Sequence, residues 1–347
     1  MNEKRHIRQI ALPQVGIVGQ EKLKRARVLV VGAGGLGNAV LPYLASSGIG
    51  TIGILDGDKI DLTNLHRQVL FSELELGKSK AIVASQKLSI QFPEIAITPY
   101  DSFLTGENAL DLFLNYDLVI DATDSIDTRY LINDACVVTK KPFVHASIYR
   151  FQFQVAIFNA KGSGTYRCLY PNAPSSSQSC EEAGVMPSTV AMAGLYQANE
   201  VFKYILQVGD LQTNSILLVD TLSNNHNHFS FKNRNQEHIN PSFFERTYKS
   251  ILQISINDVD KNGFFLDVRN EEELPILELE NSRQIPISLL QKGMELIPKN
   301  QPVYLFCQSG IRSRKAYWIL KESGWANLHC LAENAPEISE IQHRILR

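Results

Sequence analysis

Two stretches of this chain combine residue types at spacings that can do chemistry. Near its start, Gly32-Ala33-Gly34-Gly35-Leu36-Gly37 follows the apolar run Arg27–Val31 (RVLVV). A strand that ends in such a turn and opens a helix points backbone N–H groups and a helix N-terminus at a phosphate. Gly32, Gly34, Gly35 and Gly37 let the backbone approach a ligand without a clashing Cβ. Asp56 closes the next apolar run, Thr51–Leu55 (TIGIL), roughly 20 residues past the turn, where an acid can bond a ribose hydroxyl. On these residues alone the prior favours an NAD or FAD enzyme over an ATP enzyme. Near the other end, Leu305-Phe306-Cys307 runs into Gln308-Ser309-Gly310-Ile311-Arg312-Ser313. A cysteine between a buried strand and a helix sits among convergent N–H groups and the helix dipole, a setting that favours a thiolate or a persulfide. Gly310 permits the turn, and Arg312 adds positive charge or braces the loop. A phosphatase uses a similar cradle but needs a longer loop between Cys and Arg, so the short loop here points to sulfur.

Residues downstream of the glycine turn change its meaning. Asn64-Leu65-His66-Arg67-Gln68 follows the second strand, Lys78-Ser79-Lys80 opens the next helix, and Asp121-Ala122-Thr123-Asp124 ends a later strand. In an open parallel sheet these positions share the carboxyl edge, where ligands bind. Two cations, Arg67 and Lys80, with the acid Asp124 suit a triphosphate with Mg²⁺ better than a nicotinamide ring. Singly, each is what a solvated surface charge looks like. Together, at strand ends of one half-domain, they define an ATP site.

The elements that must position these groups follow from the hydrophobic pattern. Strands are predicted at 27–31, 51–55, 95–100, 118–121 and 143–146, with helices at 36–47 (Pro42 inside it), 79–91, 108–114 and 127–139. This β-α-β-α order predicts an α/β fold, a doubly wound, Rossmann-like sheet with helices on both faces. After Phe151 the rhythm changes: a strand at 152–158, a small polar stretch at 171–179, a helix at 190–206 and a strand at 215–220. The polar stretch 232–250 has no clear period and reads as a linker. A second α/β unit follows, with strands at 263–268 and 302–306 and a helix from Arg312 to Ser323. The expected domains are therefore 1–235 and 251–347, joined by a linker at 236–250.

Several linked motifs resemble one family. RHIRQI (Arg5–Ile10), GAGGLG, ILDGDKIDLTNLHRQVLF, GKSKA and DATDSIDTRYLINDAC together are similar to the MoeB/ThiF family of adenylyltransferases, relatives of ubiquitin-activating enzymes, over residues 5–222. The resemblance implies adenylation of the C-terminal glycine of a small ubiquitin-fold sulfur-carrier protein (MoaD/ThiS-like), with ATP and Mg²⁺. Carried over by position, Asp56 binds the ribose, Asn64, Arg67 and Lys80 the phosphates, and Asp124 the Mg²⁺. Arg8 reaches the ATP of the neighbouring subunit, so a homodimer is implied. Cys180, in QSCEEAGVMPS, matches a crossover-loop cysteine with covalent roles in relatives. CxxGxRS at Cys307–Ser313, with LDVR ending at Arg269, resembles a rhodanese domain over 250–347. A persulfide on Cys307, charged by a donor such as a cysteine desulfurase, would then displace AMP, directly or through Cys180, and lead to a thiocarboxylate. The product would serve molybdopterin, thiamine or thiolated-tRNA synthesis.

The chain also departs from these patterns. Many relatives bind a structural zinc through two CxxC pairs. Here only Cys168 remains of the first pair and no cysteine stands near 234–240, so zinc is not expected. His226, His228 and His238 read as surface residues, and Cys136 and Cys330 as packing residues. The family usually has Gly where Ala146 stands and again near Phe153, which makes both departures candidates for reshaping the channel of the carrier tail. The run Leu331–Pro336 (LAENAP) replaces the Gly-Gly common in rhodaneses.

Composition sets the outer bounds. The chain has 347 residues, 44% hydrophobic and 20% charged, with a formal net charge of −2 and five cysteines. These values describe a globular protein with no bulk attraction for nucleic acid or anionic membrane. The start, MNEKRHIRQIALPQVG, lacks the apolar core of a signal peptide, and the cysteine count does not look like a disulfide framework, so the cytoplasm is expected. Two other readings remain at this stage: an NAD-dependent oxidoreductase, and a non-catalytic module that binds a ubiquitin-fold partner.

Overall fold

The computed structural model describes residues 3–345 apart from 172–183, 235, 237, 250, 261, 278 and 309. The chain divides into two compact units, 1–249 and 250–347.

In the first unit, strands β1 (Arg27–Val31), β2 (Thr51–Leu55), β3 (Ala96–Tyr100), β4 (Leu118–Asp121), β5 (Phe143–Tyr149), β6 (Gln152–Phe158), β7 (Ser215–Asp220) and β8 (Asn225–Ser230) form one sheet. Its order is β3-β2-β1-β4-β5-β6-β7-β8. Strands β3 to β5 are parallel, and β6, β7 and β8 run antiparallel to their neighbours. Alternate residues of β1 enter different cores: Val28 and Val30 pack with one, Leu29 and Val31 with the other. Both faces of the strand are therefore covered, as its unbroken apolar run implies. Helices Gly35–Ser46 and Pro187–Leu206 pack together on the first face, and Ala109–Leu114 and Ile126–Thr139 on the second. The strand order reverses between β1 and β4, which opens a crevice at their carboxyl ends.

Several elements of the first unit lie outside the sequence expectation. Helices Glu3–Ile10 and Gly16–Arg25 occupy the polar start, and β8 forms an exposed edge strand. The stretch 236–250, expected to be a linker, instead carries helix Pro241–Tyr248, capped by Asn240 with Pro241 at its first turn. Phe244 is fully buried in the second core, and the Tyr248 hydroxyl donates to Asp134 Oδ2 at 2.6 Å. Burying those rings outweighs the polar composition that made the stretch look like a tether.

The second unit is a five-stranded parallel sheet in the order β11-β10-β12-β13-β9. Its strands are β9 (Gln253–Ile254), β10 (Phe264–Asp267), β11 (Ser282–Gln284), β12 (Val303–Phe306) and β13 (Leu328–Leu331). Phe264, Leu266, Val303 and Leu305 fill one side, and Phe265, Tyr304 and Phe306 the other.

Candidate active sites

The glycine turn lies at the floor of the first crevice. Gly32 has φ +102, which only glycine adopts at ease, and a Cβ on Gly37 would stand 2.1 Å from the Gly32 carbonyl oxygen. Gly37 thus closes the turn from below, while Gly32, Gly34 and Gly35 line a cavity of about 710 Å³. Asp56, Asn64, Arg67, Lys80 and Asp124 line the same cavity. Arg8 does not; it is exposed on helix Glu3–Ile10.

Asp56 is bound tightly to the turn. Its Oδ2 accepts from Ala33 N at 2.6 Å and its Oδ1 from Asp58 N at 2.7 Å. Burial pushes its carboxyl up, against the pull of those two bonds and of Lys80. Lys80 is itself nearly buried, and its Nζ donates to Asp58 Oδ2 at 3.0 Å. Arg67 is held through Nη2, which donates to Asn64 Oδ1 at 2.7 Å. Asp61 caps the 3₁₀ turn Leu62–Asn64, which ends on Asn64. Asn38, the residue after Gly37, donates to Ala33 O at 2.7 Å and Gly34 O at 3.1 Å, and accepts from Leu70 N at 2.7 Å.

Behind Asp124 stands a buried cluster. Asp121 Oδ1 accepts from Thr123 N at 3.1 Å and Thr123 Oγ1 at 2.8 Å, and its Oδ2 accepts from His145 Nδ1 at 2.7 Å. Arg129 Nη2 donates to Thr123 O at 3.1 Å, and Gln197 Nε2 to Asp121 O at 2.7 Å. Burial by itself would push the Asp121 carboxyl up. The bond from His145, the nearby cationic charge and the Thr123 hydroxyl outweigh it and hold the group below the usual carboxylate range. Burial pushes His145 below its ordinary value, so the imidazole is neutral near pH 7. The loop 121–125 is therefore tied down from three elements, and Asp124 projects from it, exposed, ahead of helix Ile126–Thr139.

In the second unit Cys307 is buried directly after β12, and helix Ile311–Glu322 starts at Gly310, whose φ is +78. Ser313 Oγ donates to Gly310 O at 3.0 Å and lies 3.7 Å from Cys307 Sγ. Arg312 forms a two-pronged ion pair with Glu273, which brings the Glu273 carboxyl down to about 2. Arg269 is fully buried and donates from Nε and Nη2 to Asp267. Glu333, in the run that departs from the rhodanese pattern, accepts from Ser255 Oγ at 2.6 Å and Ile256 N at 2.9 Å.

The cysteines divide by environment. Cys136 and Cys330 are buried in cores; burial pushes the Cys136 thiol well up and that of Cys330 to about 12. Cys168 Sγ accepts from Thr165 N at 3.3 Å, Arg234 N at 3.4 Å and Gln236 Nε2 at 3.7 Å. Burial raises that thiol, but these bonds prevail and bring it below its ordinary value. The segment where a second CxxC pair would stand thus meets Cys168 through hydrogen bonds. Among the described residues no group of three His, Cys, Asp or Glu could hold a metal ion. His226, His228 and His238 are exposed. Cys180 lies outside the described residues. Ala146 and Phe153 are both buried in the first core, Phe153 against Tyr196, and neither lines the cavity at the glycine turn.

Asn38, Asp58, His145, Arg129 and Glu273 were not singled out by the sequence. A histidine within the apolar strand KPFVHAS and an acid two residues after Asp56 were signals of a kind. Nothing in the spacing marked Glu273.

A glycine turn at the switch point of a mixed sheet, with cations around its cavity and a cysteine loop in a second parallel unit, defines a two-unit α/β enzyme. Comparison with known proteins narrows that class. The ThiF family model matches residues 6–240, and the Rhodanese-like domain model matches 252–338. The chain belongs to the ThiF family and carries a C-terminal rhodanese-like domain. It is 34% identical over 352 residues to the "Probable adenylyltransferase/sulfurtransferase MoeZ" of Mycobacterium tuberculosis, covering 93% of this chain and 89% of that one. It is 45% identical to the "Sulfur carrier protein adenylyltransferase" of Thermus thermophilus, over 63% of this chain and 83% of that one. Among solved structures, that of E. coli MccB with ATP matches with TM-score 0.53 and 26% identity, over 62% of this chain and 66% of that one.

Proposed function

We propose that this chain adenylates the C-terminal glycine of a small ubiquitin-fold sulfur-carrier protein with ATP, then passes it sulfur from a persulfide on Cys307. The observation that carries the reading is that the glycine turn, Arg67, Lys80 and Asp124 share one cavity. The names of the relatives support both halves of the activity.

The carrier's carboxylate oxygen attacks the α-phosphorus, the bond to the β-phosphate breaks, and pyrophosphate leaves. No side chain need act as nucleophile, so the chain supplies position and charge. Asn64, Arg67 and Lys80 hold the phosphates. Asp56 has lone pairs left beyond its bonds to Ala33 and Asp58, and these take a ribose hydroxyl. A Mg²⁺ that arrives with ATP needs few protein ligands, because phosphate oxygens and water complete its shell. Asp124, exposed on the cavity, is the carboxylate suited to hold it; when bound, the ion offsets charge on the phosphates.

The outer sulfur of the Cys307 persulfide then attacks the acyl carbon, and AMP leaves. The carrier is joined to Cys307 as an acyl disulfide. A second thiol, for which Cys180 is the candidate in this chain, attacks the Cys307 sulfur. The thiocarboxylate departs with the electron pair, and an external thiol reduces the disulfide that remains.

The working unit in this reading is a homodimer, with Arg8 serving the partner's ATP. The exposed Ile7 on the helix of Arg8, with Ile17 and Val18 exposed on helix Gly16–Arg25, supports it. This reading assigns no zinc, because of the two CxxC pairs only Cys168 remains in the sequence. A persulfide donor such as a cysteine desulfurase charges Cys307. The carrier decides between molybdopterin, thiamine and tRNA. Free thiols suit the reducing cytoplasm, and among the described residues no helix is long and apolar enough to cross a membrane.

ATP–pyrophosphate exchange, dependent on a candidate carrier with a C-terminal glycine, tests the first half. Thermal stabilisation by NAD but not by ATP would instead return the chain to the oxidoreductases.

A further inference from the structure

The Cys307 loop carries one cation, and that cation is already engaged. From Cys307 to Ser313 the chain reads CQSGIRS, with Arg312 its single basic residue. Arg312 Nη2 donates to Glu273 Oε2 at 2.7 Å, and Nη1 donates to Oε1. Glu273 is held in place for this: its Oε1 accepts from Asn270 N at 2.9 Å, and its own N–H donates to Asn270 O at 3.1 Å. The nearby Arg269 offers no substitute, because it is buried and bonded to Asp267 and to the carbonyl oxygens of Glu273 and Pro275. Arg314 and Lys315 are exposed on the following helix, where water and salt screen them.

A guanidinium fork closed on a carboxylate presents no net charge to an incoming anion, and the carboxylate beside it repels a dianion. We propose that Glu273 sets the donor class of the Cys307 loop, disfavouring small dianionic sulfur donors such as thiosulfate and favouring persulfides. The proposal rests on the reading of Cys307 as the residue that bears the persulfide. In the favoured step the Cys307 thiolate attacks the outer sulfur of a donor R–S–SH. A new S–S bond to Cys307 forms, the donor's S–S bond breaks, and its electron pair leaves on R–S⁻, which takes a proton from water. The same attack on thiosulfate must expel sulfite, a dianion, and the group suited to receive it is the Arg312 fork that Glu273 occupies. Glu273 acts here through Arg312 and is a specificity-determining residue.

The test uses the full chain and two donors, thiosulfate and cysteine persulfide, with loading of Cys307 read by intact mass as the gain of one sulfur atom. In Glu273→Gln the amide oxygen still accepts from Arg312, but the negative charge is gone. The second-order loading rate with thiosulfate is expected to rise about tenfold, and to depend more steeply on salt, while the rate with cysteine persulfide stays within about twofold. Glu273→Asp, which keeps the charge, is expected to retain the wild-type preference. An unchanged ratio of the two rates in Glu273→Gln, whether both hold or both fall, overturns the proposal. If neither donor loads Cys307 in a wild-type chain that still exchanges pyrophosphate, the sulfur-transfer reading fails and takes this proposal with it. Loading by persulfide, with thiosulfate indifferent to Glu273, sinks this proposal alone.

Discussion

Asp121 and His145 face each other across β4 and β5 as direct register partners, joined by a 2.7 Å bond, with neither side chain reached by water. The bond fixes a carboxylate whose other oxygen holds Thr123, one residue before Asp124. A pair that belongs to the core thereby sets the position of a group that belongs to the cavity.

Removing His145 should loosen that loop. His145→Phe leaves a buried carboxylate without its donor and is expected to cost about 3 kcal/mol in urea unfolding of the first unit. His145→Gln keeps a donor and should cost less. The pH dependence has a definite sign. The folded values of both groups lie below their unfolded ones, so the unfolded chain binds more protons and stability rises with pH. The His145 contribution is full above about pH 6.5 and is lost as pH falls towards its folded value; the Asp121 contribution is full above about pH 4 and is lost below that. Wild type and His145→Gln, melted across pH 4 to 7, should diverge in the upper window.

Asp124→Ala is expected to lower carrier-dependent pyrophosphate exchange about a hundredfold, because charge on the phosphates is then left without its counter-ion. Asp124 is exposed, so its loss should leave the melting temperature close to wild type. Exchange at the normal rate would refute the assignment.

Cys307→Ala should exchange pyrophosphate as wild type does and make no thiocarboxylate. Intact-mass analysis of the carrier after incubation with ATP and a persulfide donor reads the outcome. Thiocarboxylate at the normal rate would remove Cys307 from the mechanism.

Phe244→Ala empties a fully buried ring site and is expected to destabilise the first unit by about 3–5 kcal/mol. A chain cut after Lys249 should fold and bind ATP. One cut after Arg234 should not, since it loses Phe244 and the Tyr248 bond to Asp134. Equal stability of the two pieces would show that the helix 241–248 is a tether after all.

The alternating sheet and the nucleotide cavity were legible because they follow from local signals combined with one topological rule. Gly32, Arg67, Lys80 and Asp124 stand far apart in the chain, yet each follows a parallel strand or opens the helix after it, and parallel sheets bring those ends together. The supporting residues were not legible, because their partners are settled only by tertiary packing. Asn38 meets a backbone group 32 residues away, His145 an acid 24 away, and Arg312 an acid 39 away. The edge strand β8 (NHNHFS) has every residue exposed, so no alternation betrays it. Helix 241–248 did carry Asn-Pro at its start, a usable cap signal, but the polarity around it concealed the buried Phe244 and the half-buried Tyr248.

Asn38 acts as a caliper. One amide holds the carbonyl oxygens of the glycine turn with its nitrogen and the backbone at Leu70 with its oxygen. The glycine turn proposed to meet the phosphates and the segment that carries Arg67 are therefore gauged to a fixed span. Little ordering remains to be done on binding, so the free energy of contact goes into holding ATP rather than assembling its cradle. Asn38→Asp would turn a carboxylate oxygen, an acceptor, towards two carbonyl oxygens and spread the jaws.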